Sequence, residues 1–170
     1  MTLDQLNRLD DQAARAALER CCGAGRWVES VCAARPFRDR EALSAASERA
    51  FAALERSDWL EAFAHHPKIG DVAALRTKYA STAAWAGEEQ RGAAAAAERM
   101  LEALADGNRS YEERFGYIFI VCATGKSAAE MLSLLRGRLP NPAERELRNA
   151  AEEQMKITRL RLAKLLESAG

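Results

Sequence analysis

Both histidines of this 170-residue chain stand side by side, in the stretch His65-His66-Pro67-Lys68-Ile69-Gly70. An imidazole with a reference pKa of about 6.5 can act as base or acid near neutrality, and it does so best when held on a rigid corner. Pro67 disfavours the α region for His66 and cannot continue a helix, so His66 falls at a helix terminus or just past it. Gly70 permits backbone angles that other residues resist, and the stretch reads as a tight turn. The structural alternative is a pair of histidines that merely ends a helix. Zinc is disfavoured, because adjacent histidines point in different directions and no cysteine or His-x-x-x-His partner lies at ligand spacing.

Three further positions carry groups of chemical interest. Glu89, in Trp85-Ala86-Gly87-Glu88-Glu89-Gln90, sits near the amino end of a long helical pattern, where an acidic residue also suits the helix dipole. Arg161 and Arg159 lie on opposite edges of the apolar stripe of the last helix. Helical phase alone does not choose between them as an anion clamp, although the flank of Arg161 is the more apolar because Ile157 lies there. Gly125-Lys126-Ser127 resembles the tail of a phosphate-binding loop, but Ile120 stands where that motif needs its first glycine and no parallel sheet surrounds it. A nucleotide site is therefore rejected.

The elements that must position these groups read as helices almost throughout. Alanine, leucine, glutamate and arginine dominate, and β-branched residues are few outside one stretch. Thr2 caps a first turn through Leu3, Leu6 and Leu9, and Asp10 caps a helix carrying Ala14, Ala17, Leu18 and Cys21. Trp27, Val28, Val31 and Cys32 mark a third, which ends at Arg35-Pro36-Phe37, and Asp39 opens a fourth. Ser57 is expected to cap a short helix over 58–64 that delivers the two histidines. A short helix over 72–79 leads to the polar turn Ala80-Ser81-Thr82, and a long helix runs from Trp85 to a stop at Asp106-Gly107-Asn108. The run from Phe115 to Gly125 has strand-like content but no second strand to pair with, so it reads as a buried irregular or helical segment. Ser127 starts the next helix. Asn141 as cap, Pro142 as first helical residue and Glu144 as capping-box partner start the last, whose stripe is Leu147, Ala151, Met155, Thr158, Leu162 and Leu165. Ile157 and Leu160 fall off that stripe, and a symmetric partner is one way to bury them.

Composition narrows the class. Lys plus Arg and Asp plus Glu number 25 each, with basic and acidic residues interspersed, so nothing marks a nucleic-acid or membrane-surface protein. No apolar run of transmembrane length, hydrophobic leader or terminal address is evident, which makes the cytoplasm the expected location. The length suits one domain over 1–170. Cys21, Cys22, Cys32 and Cys122 form no Cys-x-x-Cys pair, and the adjacent two read as a reduced, half-buried helix end.

Four stretches then occur in one order: His66-Pro67-Lys68-Ile69-Gly70; Glu89-Gln90; Phe115-Gly116-Tyr117-Ile118-Phe119-Ile120-Val121-Cys122-Ala123-Thr124-Gly125-Lys126-Ser127; and Lys156-Ile157-Thr158-Arg159-Leu160-Arg161-Leu162. With Trp27-Val28 and Arg35-Pro36-Phe37, the set resembles the 2-oxo-4-hydroxy-4-carboxy-5-ureidoimidazoline (OHCU) decarboxylases of urate breakdown, over nearly the whole chain. The resemblance implies an all-α, compact multi-helix domain and a decarboxylase without cofactor or metal that makes (S)-allantoin from a small ureidoimidazoline. It also implies a homodimer. Catalytic roles carry onto His66, not His65, and onto Glu89. Substrate contacts carry onto Pro67, Gln90 and Arg161, with main chain at Phe119, Ile120 and Val121 lining the pocket. The family often has a serine three residues before the glutamate, where this chain has Ala86, with Ser81 and Thr82 upstream. A helical binding module, or a His–Glu hydrolase acting on a related ureide, are the rival readings. Convergence of the candidate groups, and a chiral product, discriminate against them.

Overall fold

A computed structural model describes residues 1–68, 71–79 and 89–167; the side chains of residues 89–91, 93 and 94 stand outside that description. The turn expected at Ile69 and Gly70, the polar turn at 80–82 and the helix start at Trp85 lie outside the described residues. Among the described residues the chain forms nine helices and no strand, the all-α class expected of its strong helix formers. It divides into two compact units. The first comprises Met1–His66, Ile120–Cys122 and Asn149–Gly170, the second Pro67–Phe119 and Ala123–Arg148.

In the first unit, local caps set the helix boundaries. Thr2 and Gln5 form a capping box at α1 (Leu3–Arg8), and Asp10 accepts from the Ala13 N–H at the start of α2 (Asp11–Glu19). α3 (Gly25–Ala33) buries Trp27, Val28, Val31 and Cys32, and Asp39 caps α4 (Arg40–Ala52) through the Ala42 N–H. The Trp27 indole donates to the Ser47 carbonyl at 3.2 Å, which satisfies its one polar atom inside the core. Leu6, Leu18 and Leu43 are almost wholly buried around it, each worth about 1.5–3 kcal/mol relative to exposure. Arg35 donates to the carbonyls of Leu6 and Leu9 at 3.0 and 2.7 Å, so the C-terminal end of α1 is held by a guanidinium. None of the four cysteines stands in a disulfide, and Cys21 and Cys22 are fully buried, deeper than the half-buried helix end expected.

α5 (Arg56–Ala64) begins earlier than expected. Glu55, not Ser57, precedes its first turn, because the Asp58 carboxylate reaches back to the Glu55 N–H at 2.9 Å and closes a capping box. Arg26 holds the same carboxylate at 2.9 Å. At the other end His65 is the C-cap residue, and the His66 N–H donates to the Phe63 carbonyl at 3.2 Å. The last helix, α9 (Ala143–Glu167), enters this unit from Asn149 onward. Its Leu162 and Leu166 join the core of α1 to α5, and the Met1 ammonium donates to the Leu165 carbonyl at 2.8 Å.

The second unit is built from α6 (Val72–Lys78), α7 (Glu89–Phe115) and α8 (Ala128–Arg138), with the first turns of α9. α7 does not stop at Asp106-Gly107-Asn108. A Cβ placed on Gly107 would stand 2.2 Å from Leu135 Cδ2, so this glycine lets α8 approach the helix and does not end it. The stop comes at Gly116, whose φ of +80° is the left-handed turn that glycine accepts, with its N–H on the Glu112 carbonyl at 2.8 Å. From there to the Ser127–Glu130 capping box of α8 the chain is irregular, as anticipated for a strand-like run without a partner.

At the start of α9 the expected Asn141–Glu144 box is replaced by something more buried. The helix begins at Ala143, Pro142 lies outside it, and the Asn141 amide donates to Glu146 Oε2 at 3.0 Å. Glu146, 0 % exposed, also accepts from the Tyr111 hydroxyl at 2.5 Å and from Arg138 Nε at 2.6 Å. Its carboxyl is held below the ordinary range, because hydrogen bonds from Arg138, Asn141 and Tyr111 outweigh a desolvation that is the largest single influence. Replacement Glu146→Ala takes an acceptor from all three donors at once and should cost about 3–5 kcal/mol. Urea denaturation checks this; a loss under about 1 kcal/mol would mean that the network contributes little.

Candidate active site

Within the first unit, α9 gathers the groups of interest on successive turns. Gln154, Thr158 and Arg161 follow one another at spacings of four and three residues, so they share one face of the helix. Gln154 and Thr158 are both 0 % exposed. Gln154 Nε2 donates to Thr158 Oγ1 at 3.3 Å, and that hydroxyl donates to the Gln154 carbonyl at 2.9 Å. Burial pushes the Cys22 thiol up, against an opposing influence from Thr158.

His66 meets this face with both ring nitrogens. Nε2 lies 2.6 Å from Gln154 Oε1, and Nδ1 lies 3.4 Å from Arg161 Nη2. Arg161 donates its other terminal nitrogen toward the Arg20 carbonyl at 3.4 Å. Among the described residues no carboxylate pairs with Arg161, whereas Arg159 is taken up by Glu48 at 3.0 Å. Packing separates the two arginines that helical phase leaves equivalent: Arg161 faces His66, and Arg159 pairs with Glu48. His65 is exposed, but its ring packs on Gly23, where an added Cβ would stand 2.2 Å from His65 Cγ. The first histidine braces the corner while the second turns to α9.

The other expected residues are placed less completely. Ile120 is 2 % exposed. Ile120 and Val121 belong to the first unit, and the adjoining Cys122 N–H donates to Glu153 Oε2 at 2.8 Å, tying that irregular segment to α9. Phe119, in the second unit, packs edge-on against Tyr111 with ring centroids 5.1 Å apart, and the Arg138 guanidinium lies 4.6 Å from its ring centroid. Pro67 follows the corner directly. Glu89 and Gln90 open α7, and their side chains lie outside the described residues, as does Ala86.

Sequence reasoning missed Gln154 altogether and took Thr158 for core. A signal was present: Leu147, Gln154 and Arg161 recur every seven residues, so the apolar ladder of α9 turns polar over its last two rungs.

The pKa of His66 is lowered from its ordinary value of 6.5, first by burial and then by the positive charge of Arg161 and by His65, against an opposing hydrogen bond that the ring donates to Gln154. The ring is therefore neutral at pH 7, a base and not an acid in the resting site. The folded pKa lies below the unfolded one, so stability is complete above about 6.5 and declines as pH falls from there through the folded value. A proton NMR titration of the His66 ring should give a midpoint below 6.5, and His66→Gln should flatten the stability slope in that window. A midpoint above 6.5 would contradict the geometry.

The family model described as OHCU decarboxylase matches residues 7–163. The uric acid degradation bifunctional protein TTL of Arabidopsis thaliana is 38% identical over 145 residues, 85% of this chain and 45% of that protein. This chain therefore spans less than half the length of that relative. The 2-oxo-4-hydroxy-4-carboxy-5-ureidoimidazoline decarboxylase of Haloferax volcanii is 28% identical over 169 residues, 99% of this chain and 98% of that one. A crystal structure of OHCU decarboxylase in the presence of (S)-allantoin superposes with a TM-score of 0.69 at 34% identity, over 94% of this chain and 100% of that one. The all-helical architecture, the ordered motifs and a match over nearly the full length lead to one conclusion: the chain belongs to the OHCU decarboxylase family.

Proposed function

We propose that this protein decarboxylates 2-oxo-4-hydroxy-4-carboxy-5-ureidoimidazoline to (S)-allantoin and carbon dioxide in urate catabolism, with residues 1–170 acting as one decarboxylase domain. The observation that carries the reading, beside family membership, is an imidazole 3.4 Å from a guanidinium that no carboxylate among the described residues neutralises. A base beside a cation suits a substrate with a hydroxyl and a carboxylate on one carbon.

The chemistry follows from the substrate. The carboxylate leaves a carbon that also bears a hydroxyl and adjoins a ring C=N bond. The electron pair of the breaking C–C bond forms a C=C bond, and the C=N pair moves onto nitrogen, which takes up one proton from solvent. The product of that step is an enol. Its hydroxyl proton must leave, and the neighbouring carbon must gain one on a single face to give one allantoin enantiomer. His66 takes the hydroxyl proton and returns it to carbon, and Arg161 anchors an anionic or carbonyl oxygen. By the family pattern Glu89 takes ring or ureido N–H groups, and Gln90, Pro67 and main chain at Phe119, Ile120 and Val121 contact the substrate. Positioned acid–base groups contribute roughly 10²- to 10⁴-fold in rate. The residues assigned here need no cofactor for these steps.

A homodimer and a cytoplasmic location complete the proposal. Leu160 on α9 is 37% exposed and suits burial by a second copy. No helix among the described residues is long and apolar enough to cross a membrane.

Turnover of freshly generated substrate, with circular dichroism reading product handedness, tests the assignment. His66→Ala or His66→Asn should lose at least about 100-fold with the fold intact, His65→Ala only a modest factor, and Glu89→Gln should be badly impaired. Full activity in His66→Ala, or collapse in His65→Ala alone, would identify the wrong histidine.

A further inference from the structure

A histidine with one proton can carry it on either ring nitrogen, and only the other nitrogen is a base. Which one is basic here is decided by the groups that His66 touches. Arg161 is a donor only, so the nitrogen facing it, Nδ1, must present its lone pair, and the proton must sit on Nε2. Nε2–H then requires an acceptor 2.6 Å away, which sets the Gln154 amide with Oε1 toward the ring. The other end of the chain demands the same orientation. Thr158 spends its hydroxyl proton on the Gln154 carbonyl at 2.9 Å, so it can only accept from the side-chain amide, which must present Nε2 at 3.3 Å. Reversing the Gln154 amide would break both ends at once. It would set the Gln154 N–H against a protonated Nε2, or, with the ring proton moved to Nδ1, set that proton against Arg161.

We propose that Gln154, held by Thr158, is a positioning residue that keeps His66 in its Nε2–H form and thereby presents Nδ1, beside Arg161, as the atom that takes the substrate's hydroxyl proton. This rests on the assignment of His66 as the base, and it adds which atom acts and what chooses it. The depth of burial supports it. Gln154 and Thr158 are 0 % exposed, and an amide pays for that position only when its polar atoms are engaged. The charged and titratable groups that face the ring among the described residues are Arg161 from α9 and the neighbouring His65, both of which favour the neutral ring.

The test uses full-length protein with ¹⁵N-labelled histidine, and His65→Gln to assign the two rings. At a pH where His66 is neutral, long-range ¹H–¹⁵N spectra should show its proton on Nε2 in the wild type. A proton on Nδ1, or an even mixture, overturns the proposal whatever the variants do. In Gln154→Leu and Thr158→Val the two tautomers should mix, and kcat should fall roughly tenfold or more with KM within about threefold. Thr158→Ser, which keeps the hydroxyl, should stay within about twofold of wild type. Gln154→Glu should move the acidic limb of kcat/KM upward by about one pH unit, because a carboxylate at Nε2–H stabilises the imidazolium. Lost activity with an unchanged tautomer, or unchanged activity in both Gln154→Leu and Thr158→Val, overturns it. Activity surviving in His66→Ala would instead remove the assignment of the base, a result that the tautomer spectra do not depend on.

Discussion

An imidazole caught between an amide oxygen and a guanidinium cannot be protonated without cost, and it cannot turn over without losing a contact. His66 is caught in this way, 2.6 Å from Gln154 Oε1 and 3.4 Å from Arg161 Nη2. Both partners come from α9, whose helical geometry fixes their separation, and the ring comes from the corner where Pro67 ends α5. Much of the first unit serves this meeting. Gly23 leaves room for the His65 ring that braces the corner, Thr158 orients the Gln154 amide, and Glu153 ties the Cys122 main chain to the same helix.

Two buried polar clusters have opposite characters. In the second unit Glu146 is saturated: Tyr111, Arg138 and Asn141 all donate to its oxygens, and the charge is neutralised on the spot. Such a site holds helices together and has no capacity left for a ligand. Around His66 no carboxylate among the described residues balances the cation. The ring keeps a lone pair on Nδ1, and Arg161 keeps a charge that its hydrogen bond to the Arg20 carbonyl does not cancel. Neutrality of the ring and the charge of the guanidinium sustain each other, since a second positive charge at 3.4 Å is disfavoured. An arriving anion would relieve Arg161 and so raise the basicity of Nδ1, which couples substrate binding to proton transfer.

The helical class and most helix starts were legible in the sequence, because caps, prolines and apolar spacing are local signals. The errors came where tertiary contacts overrode local ones. Gly107 looked like a helix stop but serves close packing against Leu135. Ser57 looked like a cap, yet the Asp58 carboxylate, shared with Arg26, moved the start to Glu55. Asn141 looked like the cap of the last helix and instead serves the buried Glu146. Helical phase could not separate Arg159 from Arg161, since both sit at the edge of one stripe, and only the partners Glu48 and His66 distinguish them. Gln154 went unnoticed because its one signal, the seven-residue spacing that it shares with Leu147 and Arg161, is a matter of helical phase and not a residue type that favours burial.

The central claim is that the catalytic base of this protein is Nδ1 of His66, with Nε2–H locked on Gln154. The most direct measurement is a titration of ¹⁵N-histidine-labelled protein with (S)-allantoin, following both ring nitrogens of His66. The account predicts that the ligand shifts the Nδ1 resonance while the Nε2-bound proton stays in place and hydrogen-bonded. A response confined to Nε2, or loss of its proton with Nδ1 unmoved, would contradict it.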